Sequence, residues 1–254
     1  MDIAISIKGL KKKFGQKEVL RGIDLDIIRH KTTIILGLSG SGKSTIIKHI
    51  VGLLRPDSGE ILVDGVDVAN ADEKTIFKIR KKVGFLFQSG ALFDSMNVFE
   101  NIAFPLREHT KLTQKEMIKK VEKSLEMVGL KPKEVMALYP DELSGGMRKR
   151  VGLARTIIME PEIILFDEPT TGLDPITCDL ISRMILHLQS ELNVTSVLIS
   201  HDIKESFKVG DYFAFLYQGK IIDFGDKDKF LNTDNEYVKQ FLNGESEGPI
   251  KIVG

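Results

Sequence analysis

The sequence predicts an α/β fold, and three observations predict it. Residues 33–36, 83–87, 163–166 and Thr195–Ile199 are continuous apolar runs. Such runs suit strands covered on both faces, as in a parallel sheet. Helix-period apolar patterns lie between them, beginning with Ile46, Ile47, Ile50, Val51 and Leu54. The N-terminus differs: Ile3, Ile5 and Ile7 alternate with other residues, and Ile23, Leu25 and Ile27 alternate with Asp24 and Asp26, the pattern of half-buried strands.

Residues 91–158 read as a mostly helical insert. Thr113 and Glu116 form a capping box, Ile118, Val121, Leu125 and Val128 follow at helical spacing, and Gly129 ends that helix. A second helix is predicted from Ser144, with Met147, Val151, Ala154 and Ile158 on one face and Pro161 as its stop. Tyr212–Tyr217 and residues 220–224 form a hairpin turning at Gln218-Gly219. The predicted layout is one domain over residues 3–240, with a core of about 3–90 and 159–240 around the 91–158 insert. Residues 241–254 are left as a C-terminal tail, polar and glycine-containing from 243 onward and expected to be mobile until something binds it.

Composition narrows the function classes. The 254 residues include 42% hydrophobic and 28% charged side chains, an ordinary globular mixture that excludes general disorder. The 36 Lys and Arg balance the 36 Asp and Glu, which argues against a nucleic-acid partner. A single cysteine, Cys178, excludes an internal disulfide framework. No apolar run reaches the roughly 18–20 residues of a spanning helix, and the N-terminus places its apolar residues before its lysines, opposite to a secretory signal. The expectation is a cytosolic chain that depends on another polypeptide for any membrane span.

Three motifs carry chemistry. GLSGSGKS (37–44) matches the P-loop pattern G-x-x-x-x-G-K-S/T, after a predicted strand and before a helix. Gly37, Gly40 and Gly42 let the backbone curl so that N–H groups point at phosphate oxygens, with Ser39, Ser41 and Thr45 in or beside the loop. Lys43 is placed to reach the β- and γ-phosphates of ATP and Ser44 to ligate Mg²⁺. The strand 163–166 ends in Asp167 and Glu168; Asp167 is a second Mg²⁺ ligand, and Glu168 the group that orients or deprotonates the attacking water. LSGGM (143–147) puts Ser144, Gly145 and Gly146 at a helix start, a second anion-binding device. Two phosphate grips acting on one ATP need not come from one chain.

With these motifs in order, the chain resembles the ATP-binding cassette ATPases over nearly its whole length. The ordered set is the P-loop, Gln88 after a strand, LSGGM, the strand ending in Asp167-Glu168, Gly172-Leu173-Asp174, and His201 after a strand. The resemblance implies a RecA-like P-loop NTPase core, an N-terminal antiparallel β subdomain and an inserted α-helical signature subdomain. It also implies a homodimer with two ATP molecules sandwiched head to tail, each meeting the P-loop of one chain and the signature of the other, as C₂ symmetry allows. Phe14 then stacks on adenine, without the hydroxyl of the tyrosine common at that place. Gln88 touches Mg²⁺ or the lytic water and senses a membrane partner. Ser144 and Gly146 contact the γ-phosphate across the dimer, Asp174 bridges the chains, and His201 holds the γ-phosphate and the geometry around Glu168. Met147 replaces the usual glutamine, a departure that narrows the subfamily.

Residues 89–110, apolar and aromatic beside Gln88, are core or a groove for an apolar helix of a partner. Their wording, LSGGM, DPIT (174–177) and the 241–249 segment are similar to the ATPases of Mla/Mce-type phospholipid transport systems. That likeness implies ATP-driven phospholipid movement between inner and outer membranes. It also implies an MlaE-like permease, an MCE-domain (MlaD-like) lipid-binding protein, in some systems a small STAS-domain subunit, and a place at the cytoplasmic face of the inner membrane. Two rivals are a cassette importing a small polar solute such as an amino acid, and a soluble cassette acting on DNA or ribosomes. The 56 positions from Gln88 to Ser144 leave no room for the long coiled coil of DNA-repair members. His30, His49, His109 and His187 read as structural or solvated, Cys178 as a small packed or surface residue, and Lys11–Lys13 and Arg148-Lys149-Arg150 as solvated faces.

Overall fold

The computed structural model describes residues 2–251. In chain order its elements are β1 (Ile3–Phe14), β2 (Lys17–Ile28), β3 (Thr32–Leu36), α1 (Lys43–Ile50), β4 (Ser58–Val63), β5 (Val66–Asp67), α2 (Glu73–Lys82) and β6 (Val83–Leu86). Then come α3 (Val98–His109), α4 (Gln114–Met127), α5 (Pro132–Val135), a 3₁₀ turn (Pro140–Glu142), α6 (Gly145–Ile157), β7 (Ile163–Asp167) and α7 (Pro175–Leu192). The chain finishes with β8 (Thr195–Ile199), α8 (Ile203–Val209), β9 (Tyr212–Tyr217), β10 (Lys220–Asp226), α9 (Lys227–Leu231) and α10 (Glu236–Asn243). The fold is α/β, with an antiparallel β portion and a parallel sheet of P-loop type.

Two compact units make up the chain, one from the segments up to Ile76 and from Val197 onward, the other Phe77–Ser196. The divisions fall outside the expected 91 and 158. The reason is local pairing: β6 and β7 run parallel from Val83↔Ile163 to Leu86↔Phe166, and α6 packs on β6, so two apolar strands belong with the helices.

In the first unit, an antiparallel sheet has the order β2-β1-β4-β5. Ile7 faces Leu25 in one neighbour and Ile61 in the other, and all three are buried. The predicted alternation thus becomes a one-sided core. Beside it, β3 runs parallel to β9, from Thr33↔Tyr212 to Leu36↔Phe215, and β9 turns back into β10 at Gln218-Gly219. All five residues of β3 are buried, as a strand covered on both faces requires. Phe213 stacks on Phe207 at 4.5 Å and on Phe230 at 5.4 Å between ring centroids, which seats α8 and α9 against β9. Burying each such ring is worth about 1.5–3 kcal/mol.

In the second unit, every residue of β7 is buried. The helices begin as their caps dictate. Asn97 and Glu100 form a reciprocal box at α3, as Thr113 and Glu116 do at α4. Ser144 caps α6 by accepting the Met147 N–H at 3.3 Å, and α4 gives way to Gly129 at φ +66°.

The tail departs from expectation. Its first residues complete α10, which Gly244 ends in the left-handed region, and the chain folds back rather than trailing off. Gln240, 4% exposed, is the reason. The Ile250 N–H donates to its Oε1 at 2.7 Å, and its Nε2 donates to the carbonyls of Ile250 and Glu245, both at 3.2 Å. Ile250 is buried beside it. One glutamine thus replaces the secondary structure that a polar segment lacks. Gln240→Ala should cost about 1–3 kcal/mol, because it leaves buried main-chain groups of Ile250 unpaired. Thermal denaturation measures the loss, and hydrogen exchange should place it in residues 244–251.

Candidate nucleotide-binding and hydrolysis site

The first unit carries the P-loop between β3 and α1. Gly37 has φ +152°, and a Cβ there would lie 2.4 Å from the Leu216 carbonyl oxygen, so only glycine fits under β9. Gly42 caps α1 from the left-handed region at φ +106°. Lys43 is 4% exposed and donates to the carbonyls of Gly37 and Leu38, both at 2.9 Å, so its ammonium lies inside the curl of the loop. The Ser41 hydroxyl is buried without a hydrogen-bond partner. An orphan donor, a curled backbone and a helix N-terminus with no acidic residue in its first turn suit a polyphosphate. Ser39 and Gly40 are exposed, and Ser44 and Thr45 half-buried in the first turn of α1. Phe14 ends β1 with its ring 47% exposed, available for stacking, and the Lys12 ammonium lies 5.6 Å from the ring centroid. His201 follows β8 and is exposed. His49 is structural: fully buried, its Nδ1 donates to the Thr45 carbonyl at 2.7 Å, and burial holds its pKa below the usual imidazole value.

The second unit carries the acidic pair. Asp167 is the buried last residue of β7. Glu168 then takes φ +48°, a left-handed conformation uncommon for a non-glycine residue. Its Oε2 accepts from Gln88 Nε2 at 3.1 Å and from the Thr171 hydroxyl at 2.9 Å. Gln88 and Glu168 are 80 positions apart in sequence, and the fold joins them directly. Within the second unit Asp167 and Gln88 carry a carboxylate and an amide oxygen, and in the first unit Ser44 carries a hydroxyl, each a hard donor of the kind that Mg²⁺ takes.

Several residues that sequence reasoning did not select hold this cluster. Lys149, read as part of a solvated basic run, is 6% exposed. Its ammonium donates to the Gln88 carbonyl and, at 3.4 Å, to the Glu168 carbonyl. Burial pushes its pKa down, and the charges of Glu168, Asp167 and Cys178 pull it back up. Arg148 is exposed as expected, while Arg150 is half-buried and donates to the Gly129 carbonyl at 3.1 Å. Arg155 donates to the carbonyls of Gly90 and Ala91 at 2.8 and 2.9 Å. Asn101, fully buried, accepts from the Phe93 N–H and donates to the carbonyls of Phe93, Met96 and Asn97. The loop after Gln88 is thus pinned by α6 on one side and α3 on the other. The only sequence signal was polar residues set among apolar helical positions.

The signature and the Asp174 turn meet on the same unit. Ser144 and Gly145 are exposed at the head of α6. The N–H groups of Gly145 and Gly146 have no acceptor within the helix. A Cβ on Gly146 would lie 2.8 Å from the Thr177 methyl, so the small residue lets α6 approach α7. Asp174 caps α7 through the N–H groups of Ile176 and Thr177 at 3.0 Å each and takes the Thr177 hydroxyl at 2.5 Å. Those bonds hold its carboxyl below the usual range. Ile176 beside it is 84% exposed. Cys178 is packed and buried, as expected.

Residues 83–109 and the C-terminal half of α6 also enclose a groove of about 350 Å³, lined by Phe87, Phe93, Phe104, Pro105, His109 and Arg155 among others. Among the described residues no helix is long and apolar enough to cross a membrane.

Comparison with known proteins accords with this geometry. The family model described as "ABC transporter" matches residues 20–171. The chain is 42% identical to the "Probable ribonucleotide transport ATP-binding protein mkl" of Mycobacterium leprae, over 98% of this chain and 72% of that one. It is equally 42% identical to the "Intermembrane phospholipid transport system ATP-binding protein MlaF" of Haemophilus influenzae, over 98% of this chain and 93% of that one. The ATP-binding cassette MJ0796, solved as a dimer in a post-hydrolysis state with ADP and Pi, superposes with a TM-score of 0.81 and 31% identity over 87% of this chain and 98% of that one. On its sequence, its whole-length relatives and its backbone, the chain belongs to the ABC transporter family, as an ATP-hydrolysing cassette.

Proposed function

We propose that the chain works as a homodimer that turns ATP hydrolysis into phospholipid movement between inner and outer membranes. The observation that carries the two-chain reading is the presence of two phosphate grips on one polypeptide: the P-loop with Lys43 inside its curl, and the exposed, Ser144-capped head of α6. Each ATP is held by the P-loop of one copy and by Ser144, Gly145 and Gly146 of its twin, with Phe14 on the adenine and Asp174 at the junction. Lys43 and His201 bind the γ-phosphate. Ser44, Asp167 and Gln88 hold Mg²⁺, which when bound neutralises charge on the phosphates. Glu168, oriented by Gln88 and Thr171, takes the proton of the attacking water.

The cargo reading rests on coverage. The two named relatives are equally identical, and the chain spans nearly the whole MlaF protein but only 72% of mkl. The partners that follow are an MlaE-like permease, an MCE-domain lipid-binding protein and, in some systems, a STAS-domain subunit. The permease holds the cassette at the cytoplasmic face of the inner membrane. The aromatic groove beside Gln88 supports a seat for an apolar helix of that permease. A zero charge balance gives no support to a nucleic-acid partner. The name of mkl favours a second reading, transport of a ribonucleotide.

Glu168→Gln should keep ATP binding, lower turnover by about 10²–10⁴-fold and accumulate a nucleotide-bound dimer; ATPase assays with light scattering test this, and wild-type turnover would remove the role. Ser144→Arg should abolish hydrolysis at both sites of the homodimer, and a fully active variant would sink the two-chain reading. The cargo is tested in vesicles carrying the permease, where phospholipid in the bilayer should stimulate ATPase activity. Stimulation by ribonucleotides alone would favour the second reading.

A further inference from the structure

We infer that Lys149 is a positioning residue that ties the signature helix to the hydrolytic pair of its own chain, through the main-chain carbonyls of Gln88 and Glu168. The inference rests on the proposed two-chain reading for its consequence, and on three observations for its substance. Lys149 is buried in the middle of α6, four residues after Gly145 and therefore about one turn from the signature. Its ammonium spends its donors on two carbonyls that lie 80 positions apart in sequence. The side chains of those two residues are joined to each other, Gln88 Nε2 to Glu168 Oε2 at 3.1 Å. Glu168 also sits at φ +48°, in the left-handed region.

The consequence is a rigid link. In a sandwich, Ser144 and Gly146 serve the nucleotide held by the partner's P-loop, whereas Gln88 and Glu168 serve the nucleotide of their own P-loop. A helix seated on one nucleotide therefore sets, through one ammonium, the loop and the glutamate that act on the other. The neighbouring Arg155 reinforces the link by holding Gly90 and Ala91.

Lys149→Met keeps the length and apolar stem and deletes the donors; Lys149→Arg keeps charge and donors; Lys120→Met removes a surface pair with Glu160 and serves as control. Steady-state ATPase and nucleotide-binding titrations are measured on the full chain. In Lys149→Met, kcat should fall about 10–100-fold with nucleotide affinity within about twofold, as expected for misplaced reacting groups rather than lost binding. Lys149→Arg should recover most of kcat, and in a Glu168→Gln background the methionine change should add less than about threefold, because the two act as a unit. A folded Lys149→Met enzyme at wild-type kcat overturns the inference, as does equal loss of kcat and affinity. If Lys149→Met fails to fold, Lys149→Gln, which keeps a neutral amide N–H₂ group and loses the charge, replaces it; failure of both assigns Lys149 to folding and also overturns the inference. An active Lys149→Met together with an inactive Ser144→Arg sinks this inference alone. The reverse pair sinks the two-chain reading and leaves the link between α6 and the hydrolytic pair standing.

Discussion

Loops that leave the end of a strand must satisfy main-chain carbonyls for which no ladder partner remains, and in this protein helix-borne side chains do it. Lys43 takes the carbonyls of Gly37 and Leu38, Lys149 those of Gln88 and Glu168, and Arg155 those of Gly90 and Ala91. Asn101 does the same for Phe93, Met96 and Asn97 without a charge. Reactive residues can then stand on irregular backbone and still be held in one place. The arrangement costs burial of charge, which is tolerated because each ammonium or guanidinium is hydrogen-bonded.

Several contacts meet at Glu168: this left-handed glutamate is touched by Gln88, Thr171 and Lys149. The glutamine and the glutamate thus form one hydrogen-bonded unit. Because Lys149 lies on the helix that Ser144 caps, the helix proposed to grip phosphate at its head also holds the carbonyls of Gln88 and Glu168 about one turn later. Family membership makes the chain an ATPase; this local wiring is what would let nucleotide at the signature be felt at the glutamate.

The cargo lies at a different level. Every residue placed in the ATP chemistry would serve a cassette moving lipid or one moving a polar solute equally well. The surface around Gln88 is a separate feature, where Phe87, Phe93 and Phe104 line a groove. On the proposed reading an apolar helix of the permease seats there, and the partner selects the transported molecule.

The chemical vocabulary was legible in the sequence because local backbone demands local residues. GLSGSGKS, LSGGM and the strand ending in Asp167-Glu168 each announce themselves by spacing alone, as do the capping box at α4 and the hairpin at Gln218-Gly219. The α/β class followed from apolar runs that only doubly covered strands can use. Where the sequence misled, the deciding contacts were long-range. Lys149 looked like one of three solvated cations, since nothing in its neighbours tells that carbonyls 61 and 19 positions away converge on it. The tail looked mobile because a single glutamine, Gln240, binds it. Which compact unit β6 and β7 pack with is likewise recorded by no linear pattern. Residue type and spacing decide which chemistry is available; only the folded chain decides which polar groups are left without a ladder, and therefore which buried cation must answer them.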